Sequence, residues 1–239
     1  MKRIVTMQDL SCIGKCSLTV ALPVLSAMGL ECAVLPTAVL SAHTAFEGFR
    51  YEPLSLTPVA DVFWLIVMEI YVSDTGERGG GAQGGVLRGG GGAGGGGGGG
   101  LLTGLEYRET HDDSYIRTLL ERLLALGART AILTGVRTEP GRVGVACMDA
   151  AGAVSQCSAP YVPAVFYGTG DLFASTCAGA LTLGWSVHDA MELASAYVAD
   201  TIAETRREPD ARWYGVSFEA TIPQLLRRMA QRRPSHAEN

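Results

Sequence analysis

The chain has 239 residues and a net charge of −5, and 47% of its residues are apolar while 18% are charged. This balance excludes an intrinsically disordered chain, and the length suffices for one large domain or two small ones with a substantial core. The negative net charge gives no electrostatic reason to expect nucleic acid as a partner.

Glycine is concentrated in one segment. Of the 31 glycines, 17 lie within the 25 residues 76–100, without the three-residue period of collagen. Glycine loses the most backbone entropy on folding and has no side chain to bury. We therefore predict that residues 76–100 form a flexible loop without regular structure, inside an otherwise ordinary globular chain.

No segment has the composition of a membrane span or a secretory signal. The longest apolar run, 62–72, has 11 residues and contains Glu69, whereas a spanning helix needs about 20 residues. The six cysteines form no CxxC pair and histidine is scarce. We therefore expect no membrane partner, reduced thiols, no zinc site and a cytoplasmic protein. The basic residues 227–233 indicate a solvated helix end.

The first elements predict a βαβ unit. We predict a strand at 3–7, a loop at 8–15, a helix at 17–28 and a second strand at 32–35 that is buried on both faces. Pro23 is expected to kink this helix or displace its start. Two strands joined by one helix imply a parallel sheet. The later run 62–67 fits either a buried strand or a helical turn.

Regular structure is expected to resume after the glycine-rich segment. A helix starting at Asp112 or Asp113 and ending at Gly127 carries apolar side chains three and four residues apart. The remaining predicted elements are a strand at 130–134, a hairpin at 143–149 and 154–158, and helices at 172–183, 186–206 and from 221 onward. The inner face of the last helix is expected to carry Ile222, Leu225, Leu226 and Met229.

The motif Gly168-Thr169-Gly170-Asp171 precedes a predicted helix. The N-terminus of a helix offers free N–H groups and a partial positive charge, and glycines let a phosphate approach the backbone. Asp171 could act there as a base toward an alcohol. These four residues alone fit equally a plain glycine-rich turn in which the aspartate caps the helix.

Two further loops hold candidate residues. The loop 9–17 follows the first strand, where parallel sheets place ligands. Its Gly14-Lys15 pair is not a Walker motif, because Cys16 replaces the hydroxyl residue that would hold magnesium. Cys12 and Cys16 favour a structural role over a redox pair. His43 in the loop 41–44 could contact a small polar ligand or be merely exposed.

Taken together, these segments resemble the pyridoxal (pyridoxamine) kinase branch of the ribokinase-like superfamily. The resemblance is carried in the family's order by residues 9–29, 35–44, 133–136, 158–163 and 168–174. It covers about 1–59 and 101–233. The N-terminal run is specific to this branch, whereas the Gly-Thr-Gly-Asp motif marks the whole superfamily.

The resemblance implies a fold and an activity. The fold would be α/β, a three-layer α/β/α domain over 1–239 with a mostly parallel central sheet, interrupted by the segment 76–100. The activity would be phosphorylation of the 5′-hydroxymethyl group of a B6 vitamer by ATP with Mg²⁺. Members of the family are often homodimers.

The resemblance also implies roles for individual residues. Asp171 would be the catalytic base, and the N–H groups of Gly168, Thr169 and Gly170 would form the anion hole. On the acceptor side, Ser11 would hydrogen-bond the pyridine ring, with His43 and Thr44 nearby. Thr134 and Gly135 would lie along the nucleotide, and the loop 213–218 would lie near the adenine. No protein ligand to the metal is assigned.

The chain departs from the family pattern between about residues 60 and 101. Family members carry a longer segment there, with Asp-Pro-Val and Thr-Pro-Asn motifs that help to position magnesium and the nucleotide phosphates. Only about 40 residues stand here and neither motif occurs. We therefore expect some central strands to be missing, and the abrupt junctions also fit a deletion or a frameshifted stretch.

Three hypotheses on function stay open. The chain could be an active B6-vitamer kinase, a non-catalytic relative that only binds vitamer or nucleotide, or a kinase of another small alcohol such as a hydroxymethylpyrimidine.

Overall fold

The computed structural model describes residues 1–54, 103–105, 108, 110–163 and 166–232, together with the backbone of 70–74 and 85–86. The chain divides into two compact units. The first comprises Met1–Trp64 and Val165–Asn239, and the second comprises Leu65–Ala164. None of the helices in this described part is long and apolar enough to cross a membrane.

The first unit begins with the predicted βαβ arrangement. Strand β1 (Arg3–Ser11) is followed by helix α1 (Leu18–Ala27) and strand β2 (Glu31–Leu40). The pairing of β1 with β2 is parallel, as predicted, and the short strand β3 (Tyr51–Pro53) adds to β2 in the antiparallel sense. Helix α1 packs on both β1 and β2.

Both strands are longer than the sequence indicates. Residues 8–11 continue β1 and are not part of a loop, because their backbone pairs with β2, with Ser11 opposite Leu40. The prediction that 32–35 is buried on both faces is wrong, since Leu35 is buried while Val34 is 37% exposed. Successive side chains of a strand point to opposite faces, so only one face here is fully covered.

Helix α1 runs through Pro23 and starts five residues before it. A start displaced to the proline is therefore excluded. Proline is tolerated best in the first helical turn, because the N–H groups there have no intrahelical acceptor. Pro23 lies just beyond that turn. A Schellman-type end follows at Gly29, whose φ of +83° suits glycine.

The C-terminal part of the first unit is helical. It contains α3 (Thr169–Leu183), α4 (Val187–Thr205), a 3-10 turn (Phe218–Thr221) and α5 (Ile222–Gln231). The predicted cap of α4 is confirmed, because the Asp189 N–H donates to the Ser186 hydroxyl over 3.1 Å. Helix α3 packs against α1 and α4.

The last helix differs from its prediction in two respects. Thr221 stands at its start without capping it, because its hydroxyl donates instead to the Phe218 carbonyl over 2.9 Å. On the predicted inner face Leu225 is fully buried, whereas Leu226 is 40% exposed. The basic end contacts acidic partners on α4, with Arg228 on Asp200.

The second unit is built around a five-stranded sheet in the order β5-β4-β6-β7-β8. Its strands are β4 (Ile70–Asp74), β5 (Gly85–Val86), β6 (Thr130–Val136), β7 (Arg142–Asp149) and β8 (Val154–Pro160). Strands β7 and β8 form the predicted antiparallel hairpin, and β4 pairs with β6 in parallel.

The glycine-rich segment is described only in part. The prediction that 76–100 contains no regular element is wrong at Gly85–Val86, which pairs with β4. The other residues of this segment lie outside the described residues, as does the run 62–67.

Helix α2 (Asp113–Leu124) covers the sheet of the second unit. Asp112 caps it by accepting a hydrogen bond from the Tyr115 N–H over 2.7 Å, as the sequence predicts. Its buried apolar stripe packs with β6 and β7 residues into one cluster. The members contributed by the helix are Tyr115, Ile116, Leu119, Leu120 and Leu123.

This cluster gives a direct test of the second unit. Replacing Leu120, which is fully buried, by alanine is expected to lower the free energy of unfolding by about 2–5 kcal/mol through lost burial and a residual cavity. Leu126→Ala is the matched control, because Leu126 is 55% exposed and its loss is expected to stay within about 0.5 kcal/mol. Denaturant unfolding followed by circular dichroism measures both, and equal losses would contradict the packing described.

Candidate functional site

The start of helix α3 carries the motif Gly168-Thr169-Gly170-Asp171. Gly168 is the N-cap and has φ +80°, the left-handed conformation that glycine adopts without strain. The Thr169 hydroxyl donates to the Phe166 carbonyl over 3.2 Å. Asp171 lies in the first helical turn and is only 5% exposed. The motif therefore forms a helix N-terminus with a largely buried carboxylate beside it.

The loop between β1 and α1 (residues 12–17), called here the β1–α1 loop, packs directly on this helix start. A Cβ atom added to Gly168 would overlap the carbonyl oxygen of Lys15 and lie 3.2 Å from its carbonyl carbon. The same loop contacts His43, whose N–H donates to the Ile13 carbonyl over 2.6 Å. A Cβ on Gly14 would lie 2.7 Å from the His43 Cβ. Glycine is thus required at both contacts to let the segments approach.

A hydrogen-bonded polar cluster lies at the base of this loop. Asp9 accepts from the Ser11 hydroxyl over 3.2 Å and from the Ser17 hydroxyl over 2.8 Å. Ser17 is the one residue other than glycine with positive φ in the described part of the chain, at +50°. Both serines are buried, so the carboxylate satisfies two hydroxyls that would otherwise lose their water partners.

The Cys16 thiol is influenced electrostatically both by this cluster and by Asp171. Burial raises the pKa of Cys16 to about 11, hydrogen bonds with Ser11 oppose the rise, and the charge of Asp171 adds to it. The thiol therefore stays protonated at neutral pH and is a poor nucleophile. Cys12 and Cys16 are both free, which supports the structural interpretation of this pair.

His43 is buried beside the same loop. Its Nδ1 accepts a hydrogen bond from the Ala45 N–H over 3.1 Å, so the neutral ring carries its proton on Nε2. Burial lowers the pKa of His43, and the Asp9 carboxylate partly opposes that effect. His43 is therefore a neutral hydrogen-bond donor at physiological pH.

Aromatic side chains surround this histidine. The His43 ring meets the Tyr167 ring edge-on at 5.0 Å, and the Trp213 ring lies 4.6 Å from that of Phe46 and 6.1 Å from that of Tyr167. Tyr214 also contacts Phe46 at 5.5 Å. The loop around 213 thus packs on the segment that follows β2, the side on which the sequence places the acceptor.

The predicted nucleotide residues belong to the second unit. Thr134 and Gly135 lie at the carboxyl end of β6, where the pairing with β7 is interrupted and Gly135 has φ +72°. Such a bulge at the end of a strand is a common feature of binding edges. In the described part of the chain, no group of three or more His, Cys, Asp or Glu side chains could hold a metal ion.

The structure brings most predicted acceptor-side residues together in the first unit. Ser11 shares the Asp9 carboxylate with Ser17, and the same loop contacts His43 at Gly14 and Gly168 at Lys15. Thr44, in contrast, is exposed. No individual role was predicted for Asp9, Ser17, Tyr167 or Gly215, although three of them lie in the predicted loops 9–17 and 213–218. Asp9 and Ser11 alternate by two, which marks one face of a strand once β1 is known to extend to Ser11.

Residues 100–211 match the family model described as phosphomethylpyrimidine kinase. No curated protein matches the chain.

Solved structures share the fold over nearly the full length. A Bacteroides thetaiotaomicron protein described as a phosphomethylpyrimidine kinase, crystallised with pyridoxal, is 24% identical with a TM-score of 0.73, covering 94% of this chain and 95% of that one. The pyridoxal kinase from Lactobacillus plantarum is 25% identical with a TM-score of 0.70, covering 95% and 97%. That from Leishmania donovani, bound to ADP and pyridoxine, is 13% identical with a TM-score of 0.71, covering 95% and 96%.

The match of residues 100–211 and the shared α/β fold make the chain similar to the phosphomethylpyrimidine kinases and the pyridoxal kinases. This similarity confirms the resemblance drawn from the sequence.

The contact between Gly168 and Lys15 predicts a large cost for a side chain at position 168. Gly168→Ala adds a steric overlap with the Lys15 carbonyl to the strain of a positive φ. Gly29→Ala is the matched control, because its φ of +83° is nearly the same and nothing lies within 4 Å of an added Cβ. We expect about 1–2 kcal/mol lost at Gly29 and clearly more at Gly168 in denaturant unfolding. Equal losses would contradict the close contact.

The lowered pKa of His43 predicts a pH dependence of stability. Above pH 6.5, the ordinary value for histidine, the ring is neutral in the folded and unfolded states, and stability is fully present. As the pH falls from 6.5 toward the lowered pKa of the folded protein, the unfolded chain binds the proton first and stability is lost. Urea unfolding between pH 7.5 and 5 should show a steeper loss for the wild type than for His43→Gln, and identical slopes would refute this assignment.

Proposed function

We propose that the chain is a kinase that transfers the γ-phosphoryl group of ATP, supplied with Mg²⁺, to the 5′-hydroxymethyl group of pyridoxal, pyridoxamine or pyridoxine. The observation that carries this proposal is the buried Asp171 in the first turn of α3, directly after Gly168 in its left-handed conformation. A base next to an anion-binding helix start is the arrangement that phosphorylation of an alcohol requires.

The chemistry follows from the positions of these groups. The N–H groups of Gly168, Thr169 and Gly170 would stabilise the charge on the transferring phosphoryl group, because helix N-termini carry a partial positive charge. Asp171 would accept the alcohol proton as the oxygen–phosphorus bond forms and the bond to ADP breaks. The products are ADP and the phosphate ester of the vitamer.

The acceptor side offers complementary polar atoms. The Ser11 hydroxyl donates to Asp9, so its oxygen can accept from an acceptor molecule, while His43 can donate through Nε2. The aromatic rings of Tyr167 and Phe46 lie beside these groups and suit a flat heteroaromatic ring. Thr44 would contact the acceptor from the loop surface.

The nucleotide side is assigned to Thr134 and Gly135 at the end of β6. The register of the pairing with β7 shifts between Thr134 and Val136, and such irregular strand ends are frequent next to active sites. Mg²⁺ binds largely through phosphate oxygens and water, so we treat it as part of the metal–nucleotide substrate.

We extend the proposal to the architecture. Both units would belong to one ribokinase-like domain spanning 1–239, a three-layer α/β/α arrangement with a mostly parallel central sheet, interrupted by the segment 76–100 and short of some central strands. We also propose a cytoplasmic location, which rests on the cysteine pattern of the sequence, and a homodimer, which rests on the resemblance.

A second candidate is phosphorylation of a hydroxymethylpyrimidine. The match of residues 100–211 to the phosphomethylpyrimidine kinase model favours it. A panel of pyridoxal, pyridoxamine, pyridoxine and hydroxymethylpyrimidine with Mg-ATP separates the two candidates by kcat/KM. Binding of vitamer or ATP in calorimetry without turnover of any acceptor would instead support a non-catalytic relative.

Replacement of the proposed base gives the decisive variant. Asp171→Asn removes the proton acceptor but keeps the shape, so kcat is expected to fall by about 10²- to 10⁴-fold while ATP still binds. Asp210→Asn, a change at an exposed aspartate, is the matched control and should leave turnover unchanged. Coupled detection of ADP measures both, and equal turnover of the two variants would refute the role of Asp171.

A further inference from the structure

Lys15 is held next to the proposed anion hole by two glycines. The Lys15 carbonyl touches Gly168, and a Cβ atom on Gly215 would overlap the Lys15 Cβ. The Lys15 N–H donates to the Tyr214 carbonyl over 3.3 Å. The backbone of this lysine is therefore packed between the start of α3 and residues 214–215, which precede the 3-10 turn.

The side chain of Lys15 is engaged by an acidic partner. Its Nζ donates to the Glu219 carboxylate over 2.8 Å and lies 5.7 Å from the centre of the Phe218 ring. The lysine side chain is 25% exposed and that of the glutamate 54% exposed. An ion pair open to solvent is weak, so a more highly charged anion can replace this carboxylate.

The acidic partner lies on a firmly anchored segment. The Tyr197 hydroxyl donates to the Phe218 carbonyl over 3.0 Å, and the hydroxyls of Thr201 and Thr221 are 2.7 Å apart. These buried contacts fix both ends of the 3-10 turn that carries Glu219. Since the Lys15 backbone is also fixed, the flexible four-carbon stem of the lysine is the part of this contact that can move.

The lysine is within reach of a phosphate at the helix start. Its carbonyl group contacts Gly168, and an extended lysine side chain spans about 6 Å from Cα to Nζ. Phosphoryl transfer depends on cations that neutralise charge on the phosphoryl oxygens. Lysine serves such groups as a point charge.

We propose that Lys15 is a phosphoryl-binding residue that exchanges between two anions. Without nucleotide it is paired with Glu219, and with ATP it turns to the phosphoryl group at Gly168–Gly170. Glu219 is then a competing anion that lowers the affinity for ATP. This inference rests on the proposed kinase function.

Two charge-removing variants test the exchange by the sign of their effects. Lys15→Met should weaken ATP binding by about 10- to 100-fold, the loss expected for a charge-assisted contact. Glu219→Gln releases the lysine and should tighten ATP binding. Neither should change the binding of adenosine, which has no phosphate. If the ion pair of Lys15 and Glu219 serves only to hold two segments together, both variants should weaken ATP binding or leave it unchanged. That result would contradict the proposal.

The exposed pair of Arg3 and Glu31 supplies matched controls in the same unit. The Arg3 Nε and the Glu31 Oε2 are also 2.8 Å apart. Arg3→Met and Glu31→Gln therefore remove the same charges, but at the first residues of β1 and β2. These controls should leave ATP affinity unchanged. Lys15→Arg should restore most of the affinity that Lys15→Met loses.

Isothermal calorimetry with Mg-ATP and with adenosine gives the readout, and circular dichroism confirms folding. If Lys15→Met does not fold, Glu219→Gln alone carries the test, because it keeps the lysine. Opposite shifts in ATP affinity without turnover of any acceptor would support Lys15 and refute the kinase proposal. Normal turnover with shifts of the same sign, or with shifts equal to those of the controls, would overturn the role of Lys15 and leave the kinase proposal standing.

Discussion

The close contact between the β1–α1 loop and the start of helix α3 is the constraint on which the candidate site depends. Gly168 lacks a side chain where the Lys15 carbonyl lies, and its positive φ turns the chain into the helix. The same loop receives His43 at Gly14. Two separate segments therefore meet at one short loop, and the carboxylate of Asp171, the N–H groups of the helix start and the His43 ring gain fixed relative positions from it.

Local signals allowed much of this arrangement to be predicted. The motif at Gly168 stands before an apolar helical pattern, and the caps at Asp112 and Ser186 use hydrogen bonds between residues three apart. The hairpin formed by β7 and β8 depends on a short turn. Each of these features is determined within a few residues, so composition and spacing indicate it directly.

Features that depend on distant partners were missed. Strand β1 extends to Ser11 because β2 pairs with it, and this extension alone places Asp9 and Ser11 on one side. Gly215 is about 200 residues from the lysine it contacts, and the Trp213 ring packs on that of Phe46. Such contacts are set by tertiary packing, which carries no periodic signal in the sequence.

Hydrogen–deuterium exchange with and without Mg-ATP tests the central claim most directly. If the loop at Lys15 and the start of α3 together form the phosphate site, ATP should slow amide exchange in peptides covering 12–17 and 166–172. Amides at a helix N-terminus lack intrahelical partners, so binding of an anion there has a marked effect on them. Protection confined to other parts of the chain, with both of these peptides unchanged at saturating ATP, would contradict the account.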